Sequence, residues 1–221
     1  MAVLGVDGWR SAWVGALLDG RRVRLLALAD APAVLAVPDV DLVAIDMPIG
    51  LSDDGVRACD VDARKRLGRA GSSVFPAPLR PVLQAADYAQ ACSMSVAASG
   101  RALSKQAWNL VPAIRSLDHA LGDPPDERVV EVHPELAFRA LDPRVTDPKV
   151  TARGLAQRLA ALRPVMDVGD ALHGAPPLVP AVDALDACAA AWSARRLAEG
   201  SGECVGDGTR DARGRPMRIC W

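Results

Sequence analysis

The sequence predicts an α/β fold built on a mixed five-stranded sheet, three strands antiparallel and then two parallel, flanked by helices. Three observations carry this. Apolar segments at residues 2–6, 13–18 and 23–28 follow closely on one another, and Asp19-Gly20 between the last two is a strong hairpin turn signal. Residues 31–37 then read as a short helix broken by Pro38-Asp39, which makes a crossover. After it, Leu42-Val-Ala-Ile45 is the unbroken apolar run of a strand buried on both faces. A meander, a crossover and a strand parallel to the first give the α/β order.

The remaining elements follow from periodicity and punctuation. Residues 57–67 read as a helix stopped by Gly68, a good C-terminal cap. Helices at 83–98 and 104–121 follow, separated by Gly100 and interrupted by Pro112. Residues 72–80 read as a loop, because Pro76, Pro78 and Pro81 fit neither a ladder nor a helix interior. Strand character returns at 128–132, then helices at 134–141 and 148–162. A Pro/Gly-rich stretch at 174–180 precedes the last helix, 181–199. Residues 203–206 and 217–221 form an antiparallel pair, a C-terminal hairpin. The expected organisation is one domain over 1–221 with a helical insertion at about 52–127, after the fourth strand.

Composition narrows the function classes. The chain has 221 residues, half of them apolar, enough for a core that needs no staple. A net charge of −1 excludes a basic protein that coats nucleic acid, though a local basic patch can hide in a neutral total. Five cysteines are scattered with no C-x-x-C pair, and they read as reduced thiols. No apolar run reaches ~18 residues, and Met1 leads straight into a strand-like segment. The expectation is a soluble, cytoplasmic protein with no membrane contact.

The chemistry lies in the acids. Asp7 ends the first apolar strand and Asp46 the fourth. If those strands are parallel neighbours, both carboxylates leave the same edge of the sheet. Asp183-Ala-Leu-Asp186 places two more at i and i+3, on one face of the last helix. Each Asp alone is as readily a turn or helix cap. Together they gather like charge, which repels unless a cation joins it, and Mg2+ or Mn2+ is the hard ion that suits oxygen ligands. Asp186 falls in the Ala-rich face 184–191, where an unpaired carboxylate is expensive to bury.

Several further segments carry a resemblance. They are Gly5-Val-Asp-Gly8 with Trp13, Ile45-Asp-Met-Pro-Ile-Gly-Leu51, Arg57-Ala-Cys-Asp60 with Ala63-Arg64 and Leu67-Gly68, and Ser72-Ser-Val-Phe-Pro-Ala-Pro78 with Arg80. Ser104-Lys-Gln106, Glu131-Val-His-Pro-Glu135, Asp183-Ala-Leu-Asp-Ala187 and Gly214-Arg-Pro-Met217 complete the series. In this order the chain resembles a family of predicted RNase H-like nucleases (domain of unknown function 429), within the RNase H-like superfamily. The resemblance implies an RNase H-like sheet, with Asp7, Asp46, Asp183 and Asp186 as the catalytic and metal-binding set. The chain departs from the family at Arg10-Ser11-Ala12, where Gly is more usual, and at Ala113, where Lys is common.

Around that set, Ser72, Ser73 and Arg80 flank a Pro-stiffened loop of the kind that holds a phosphate with hydroxyls and a guanidinium. Phe75 equally reads as a plug anchoring the loop to the core. Lys105 and Gln106 open a helix and read as substrate contacts or as ordinary solvated residues. Glu131, His133 and Glu135 border the proposed site or simply start a helix. The basic segment Arg57, Arg64, Lys65, Arg66 and Arg69, offset by Asp60 and Asp62, reads as a solvated face. Trp13 reads as core, Trp9 as core or stacking platform.

The leading expectation is a Mg2+- or Mn2+-dependent nuclease acting on short or single-stranded nucleic acid, with the helical insertion as substrate cover and a homodimer allowed. One alternative is an actin-like nucleotide-binding phosphotransferase, with phosphate loops at 5–11 and 46–50. Against it, the chain lacks a late Gly-rich adenosine loop. The other alternative is a non-catalytic regulatory protein of the same fold.

Overall fold

An unbroken apolar run places the first strand, β1 (Ala2–Trp9), at the centre of a five-stranded sheet. In the computed structural model, which describes residues 1–221, β2 (Ala12–Asp19) and β3 (Arg22–Leu28) follow it as an antiparallel meander. The short helix α1 (Ala31–Leu35) is capped by Asp30, whose carboxylate accepts from Ala33 N at 2.8 Å. It carries the chain to β4 (Leu42–Ile45), parallel to β1. β5 (Val129–Glu131) adds parallel to β4, so the spatial order is β3-β2-β1-β4-β5. This is the predicted mixed sheet, three strands antiparallel and then two parallel. A C-terminal pair, β6 (Cys204–Val205) and β7 (Ile219–Cys220), forms the predicted hairpin.

The chain divides into two units, each with its own interior. The first comprises Met1–Met47, Glu127–Glu203 and Cys220–Trp221; the second comprises Pro48–Asp126 and Cys204–Ile219. The first holds the sheet with α5 (Pro134–Leu141), α6 (Ala152–Leu162), α7 (Val168–His173) and α8 (Ala181–Ala198). Helix α8 lies across the sheet, and its residues from Ala184 to Ala194 are all buried. Gly5 in β1 is what allows this. A Cβ there would meet Ala191 N at 1.9 Å and Ala187 O at 2.2 Å, so strand and helix backbones touch directly. The alanines of α8 supply the matching thin surface.

The second unit is helical, with α2 (Ala58–Leu67), α3 (Tyr88–Ser99) and α4 (Lys105–Ala120), plus 3-10 turns at Gly68–Ser73 and Arg80–Gln84. Gly68 ends α2 at φ 56°, as its capping role requires. Inside this unit Arg57 and Asp60 form a buried pair at 2.5 Å, and Asp60 also accepts from Ala77 N at 3.0 Å. A second network joins Asp118 and Asp211 to Arg80, Arg213 and Arg215.

The structure corrects several expectations. β1 continues through Asp7 to Trp9, because Gly8 and Trp9 still pair with Trp13 and Ala12; Asp7 is inside the strand, not at its end. The two-residue turn that follows places Arg10 at φ 55°, the left-handed region that favours glycine. Helix α3 starts at Tyr88 rather than at 83, because Pro81 begins a 3-10 turn and Asp87 caps the helix by accepting from Gln90 N. Helix α6 starts at Ala152 rather than at 148, capped by Thr151. Helix α7 was not predicted at all. Phe75 is exposed rather than plugged into the core, and Arg57 and Asp60 are buried rather than on a solvated face. Cys204 and Cys220 are disulfide-bonded, while Cys59, Cys92 and Cys188 are free, so the reading of five reduced thiols fails for two of them. No helix is long and apolar enough to cross a membrane.

Candidate functional site

Strand register, rather than strand ends, brings the acids together. Gly5 pairs with Ala44 and Val6 with Ile45, and Asp46 N donates to Val6 O at 2.9 Å. Side chains alternate across a sheet, so Asp7 shares the face of Gly5, and Asp46 the face of Ala44. That is the face against which α8 lies. Asp186 immediately precedes Ala187, whose carbonyl oxygen abuts Gly5. Asp183, one turn earlier, is half-buried in the first turn of α8, where the helix dipole favours a carboxylate.

The acids feel one another. Burial pushes the Asp7 carboxyl well above its ordinary range, and the charges of Asp46 and Asp186 push it further. Burial also raises Asp46, with His133 and Lys149 opposing and Glu135 adding to the rise. Asp186 is fully buried and is pushed up to about 6 by that burial, in spite of a lysine bonded to it. Asp183 is raised as well, again by burial. Like charges held in a dry place disfavour ionisation, and functional sites are where such arrangements cluster.

The counter-charge is Lys149, whose Nζ donates to Asp186 Oδ2 at 2.5 Å. Burial alone would lower the lysine, but Asp186, Asp7 and Asp46 outweigh it and hold the ammonium above its ordinary range. Sequence reading missed this residue. Its loop is built rather than loose. Gln157 in α6 accepts from Thr146 N and Asp147 N and donates to Asp147 Oδ2. Arg158 donates to Asp147 O at 3.0 Å and also holds Glu135. A Cβ at Gly154 would meet Pro148 O at 2.1 Å, so α6 begins flush against the same loop.

Asp186 Oδ1 is buried with no hydrogen-bond partner. A fully buried carboxylate oxygen left this way is costly. The donor set is all oxygen, which fits a hard divalent ion such as Mg2+ or Mn2+. As the side chains stand, no three or more His, Cys, Asp or Glu residues are grouped to hold a metal ion. The positive charge among the acids is the ammonium of Lys149.

A family model described as "Protein of unknown function (DUF429)" matches residues 5–210. The chain belongs to that family. Among curated proteins and solved structures, nothing matches it.

Other sequence-predicted residues of this DUF429 chain sort clearly. His133 and Glu135 both reach Asp46 electrostatically, and Glu135 also reaches Asp186. Glu131 pairs in register with Ile45, so its side chain is on the sheet face opposite Asp46. Ser72, Ser73, Arg80, Lys105 and Gln106 all belong to the second unit. There the Arg80 guanidinium is held by Asp118 and Asp211, and Ser73 Oγ donates to Ala70 O at 2.8 Å. Lys105 and Gln106 are exposed, with Lys105 Nζ 4.4 Å over the Tyr88 ring.

Proposed function

We propose that this DUF429 chain is a divalent-metal-dependent hydrolase of the RNase H-like superfamily that cleaves phosphodiester bonds of nucleic acid. The observation that carries the reading is the convergence of Asp7, Asp46 and Asp186 from two parallel strands and one helix, with Asp186 Oδ1 buried and unpartnered. Acids that repel one another in a dry site cost stability, and a cation-dependent reaction is a reason to keep them. The strand order β3-β2-β1-β4-β5, with an acid from the first strand, one from the fourth and an Asp-x-x-Asp helix, supports the superfamily reading.

Asp7, Asp46 and Asp186 would hold the ion, with Asp183 at the half-exposed margin. When bound, the ion supplies charge to a phosphodiester oxygen and acidifies an attacking water. The protein's own groups do the rest. Lys149, its side chain half-exposed and its ammonium bonded to Asp186, would offer positive charge to a phosphate at this site. Arg158 holds Glu135 so that this acid stays fixed beside Asp46.

The test is cleavage of a short labelled single-stranded oligonucleotide by purified protein, with EDTA, Mg2+ or Mn2+, and by Asp7→Asn. We expect cleavage only with metal, and loss of at least ~100-fold in Asp7→Asn, the scale of removing a charge-stabilising group. Retained cleavage in well-purified Asp7→Asn would place the activity elsewhere. Consumption of ATP in its stead would favour phosphotransfer.

A further inference from the structure

We infer that the helical unit carries a base-binding subsite of its own. The cavity beside the turn between α3 and α4 takes one pyrimidine base of a single strand, and Arg101 and Lys105 take the adjoining phosphates. This rests on the nucleic-acid reading above and deepens it by naming the form of the substrate.

The cavity is the first observation. It measures about 170 Å³, and its apolar wall is Val56, Pro76, Leu79, Leu103 and Ala107. An apolar cavity of roughly 150 Å³ holds one benzene ring, whereas a drug-sized ligand needs ~300 Å³ or more. A single ring fits this space better than a fused pair. The wall also has hydroxyls. Ser95 Oγ donates to Arg101 O at 2.7 Å and Ser99 Oγ to Ser95 O at 2.9 Å, so each keeps lone pairs to accept with. Ser104 Oγ accepts from Ala107 N at 3.1 Å and keeps a proton to donate. A pyrimidine edge offers both donors and acceptors, which the apolar side chain of a peptide does not.

The second observation is where the aromatic residues stand. This unit has three, Phe75, Tyr88 and Trp108, and none is buried; residues such as Val82, Val111, Ile114 and Leu117 fill its interior. Phe75 precedes Pro76 of the cavity wall, and Trp108 follows Ala107. The Tyr88 and Trp108 rings lie 6.1 Å apart with 48° between their planes, and Lys105 Nζ is 4.4 Å over the Tyr88 ring. Surface rings with a cation beside them are what unpaired bases stack on.

The third is free positive charge on a fixed frame. Arg101 and Lys105 are exposed and form no ion pair, whereas Arg57, Arg80 and Arg215 of the same unit are spent on carboxylates. The turn that carries them is held from α3. Ser95 bonds the carbonyl of Arg101, Tyr88 Oη donates to Leu103 O at 2.9 Å, and Ser104 caps α4. The backbone is fixed while the two cationic side chains stay free for phosphate. Asp53 and Asp54, exposed just before Gly55 of the wall, repel phosphate there, so the charge of the strand belongs at the Arg101 end.

The experiment measures binding without cleavage. Full-length protein in EDTA is titrated into short fluorescein-labelled oligo(dT) and oligo(dA), with anisotropy read at several salt concentrations. Wild type is expected to bind oligo(dT) severalfold tighter than oligo(dA). Ala102→Leu, which fills the cavity from an exposed position, is expected to erase that preference. It and Trp108→Ala are each expected to weaken oligo(dT) binding about tenfold, the scale of one stacked base. Arg101→Ala and Lys105→Ala are each expected to flatten the log–log salt slope by about 0.7, one single-strand phosphate apiece. Lys65→Ala, exposed on α2, is the control and leaves the slope unchanged. Circular dichroism checks that each variant is folded. Equal affinity of wild type for the two oligonucleotides, wild-type binding by Ala102→Leu and Trp108→Ala, or a slope moved as much by Lys65→Ala as by Arg101→Ala overturns this proposal and leaves metal-dependent cleavage to its own test. The expected binding pattern without any metal-dependent cleavage overturns the nuclease reading alone.

Discussion

Asp7 is buried near Asp46, Asp186 and Asp183, and burial first, then the charges of these acids, raise its carboxyl well above the ordinary range. Such a group holds its proton more tightly folded than unfolded. Stability is therefore greatest while the carboxyl is protonated and falls as pH rises above the ordinary Asp range; Asp186, pushed up to about 6, adds a loss of the same sign as pH rises through that value. Metal-free wild type is expected to gain thermal stability between pH 7.5 and pH 5, and Asp7→Asn to gain less. The same substitution is expected to raise the Tm of metal-free protein at pH 7.5, by about 2–4 °C per kcal/mol of repulsion relieved. Equal pH profiles for the two proteins, by calorimetry, would contradict the repulsive cluster. At this scale the acids were legible in the sequence because strand pattern and the Asp-x-x-Asp spacing are local. Lys149 was not, since its partner is 37 residues away and joined to it only by folding. A signal existed: Lys149 is one of only three lysines in a chain that otherwise uses arginine. Arg57 shows the opposite error. Its charge suggested solvent, but its partner Asp60 is one helical turn away and both are buried. Arg57→Ala strands a buried carboxylate and is expected to cost about 3–5 kcal/mol in denaturant unfolding.

Elements are placed by how closely their backbones approach. Helix α8 rests on β1 through Gly5 and the alanines that face it, and this contact sets Asp186 opposite Asp7. Gly5→Ala puts a methyl group into the backbone of α8 at Ala191. Overpacking ordinarily costs about 1–3 kcal/mol, and here no side chain can yield, so the loss is expected at the upper end or beyond. Because α8 must shift, metal affinity is expected to fall along with Tm, whereas a surface control such as Gly55→Ala, with open space around its Cβ, moves neither. Unchanged metal affinity in a folded Gly5→Ala protein would show that α8 does not position the site. The long helices and the meander were readable from periodicity and turn residues. Helix α7, six residues long, is too short for a 3.6-residue repeat to register. The starts of α3 and α6 were set by side-chain caps, Asp87 and Thr151, that override an apolar pattern running further back.

Across the whole molecule, the near-neutral charge constrains how nucleic acid would be held. Arg57 and Arg80 are committed to internal carboxylates, which leaves fewer free guanidiniums than the sequence suggests. Binding of a short oligonucleotide, measured in Ca2+ to block cleavage, is expected to depend weakly on salt. A log–log slope of about −6 or steeper would instead mean an extended phosphate track. The sheet order could be argued from the chain because each step of it follows sequence order. The disulfide could not, since neither Cys204 nor Cys220 belongs to a recognisable spacing and their pairing depends on a hairpin that closes across the last segment of the chain. The central claim is that the acids on β1, after β4 and on α8 form one cation site. Crystals soaked in Mn2+, with anomalous diffraction recorded at the manganese edge, test it most directly. Anomalous density is expected among Asp7, Asp46 and the free oxygen of Asp186. A map with no peak among those residues, or with peaks only elsewhere on the protein, would contradict it.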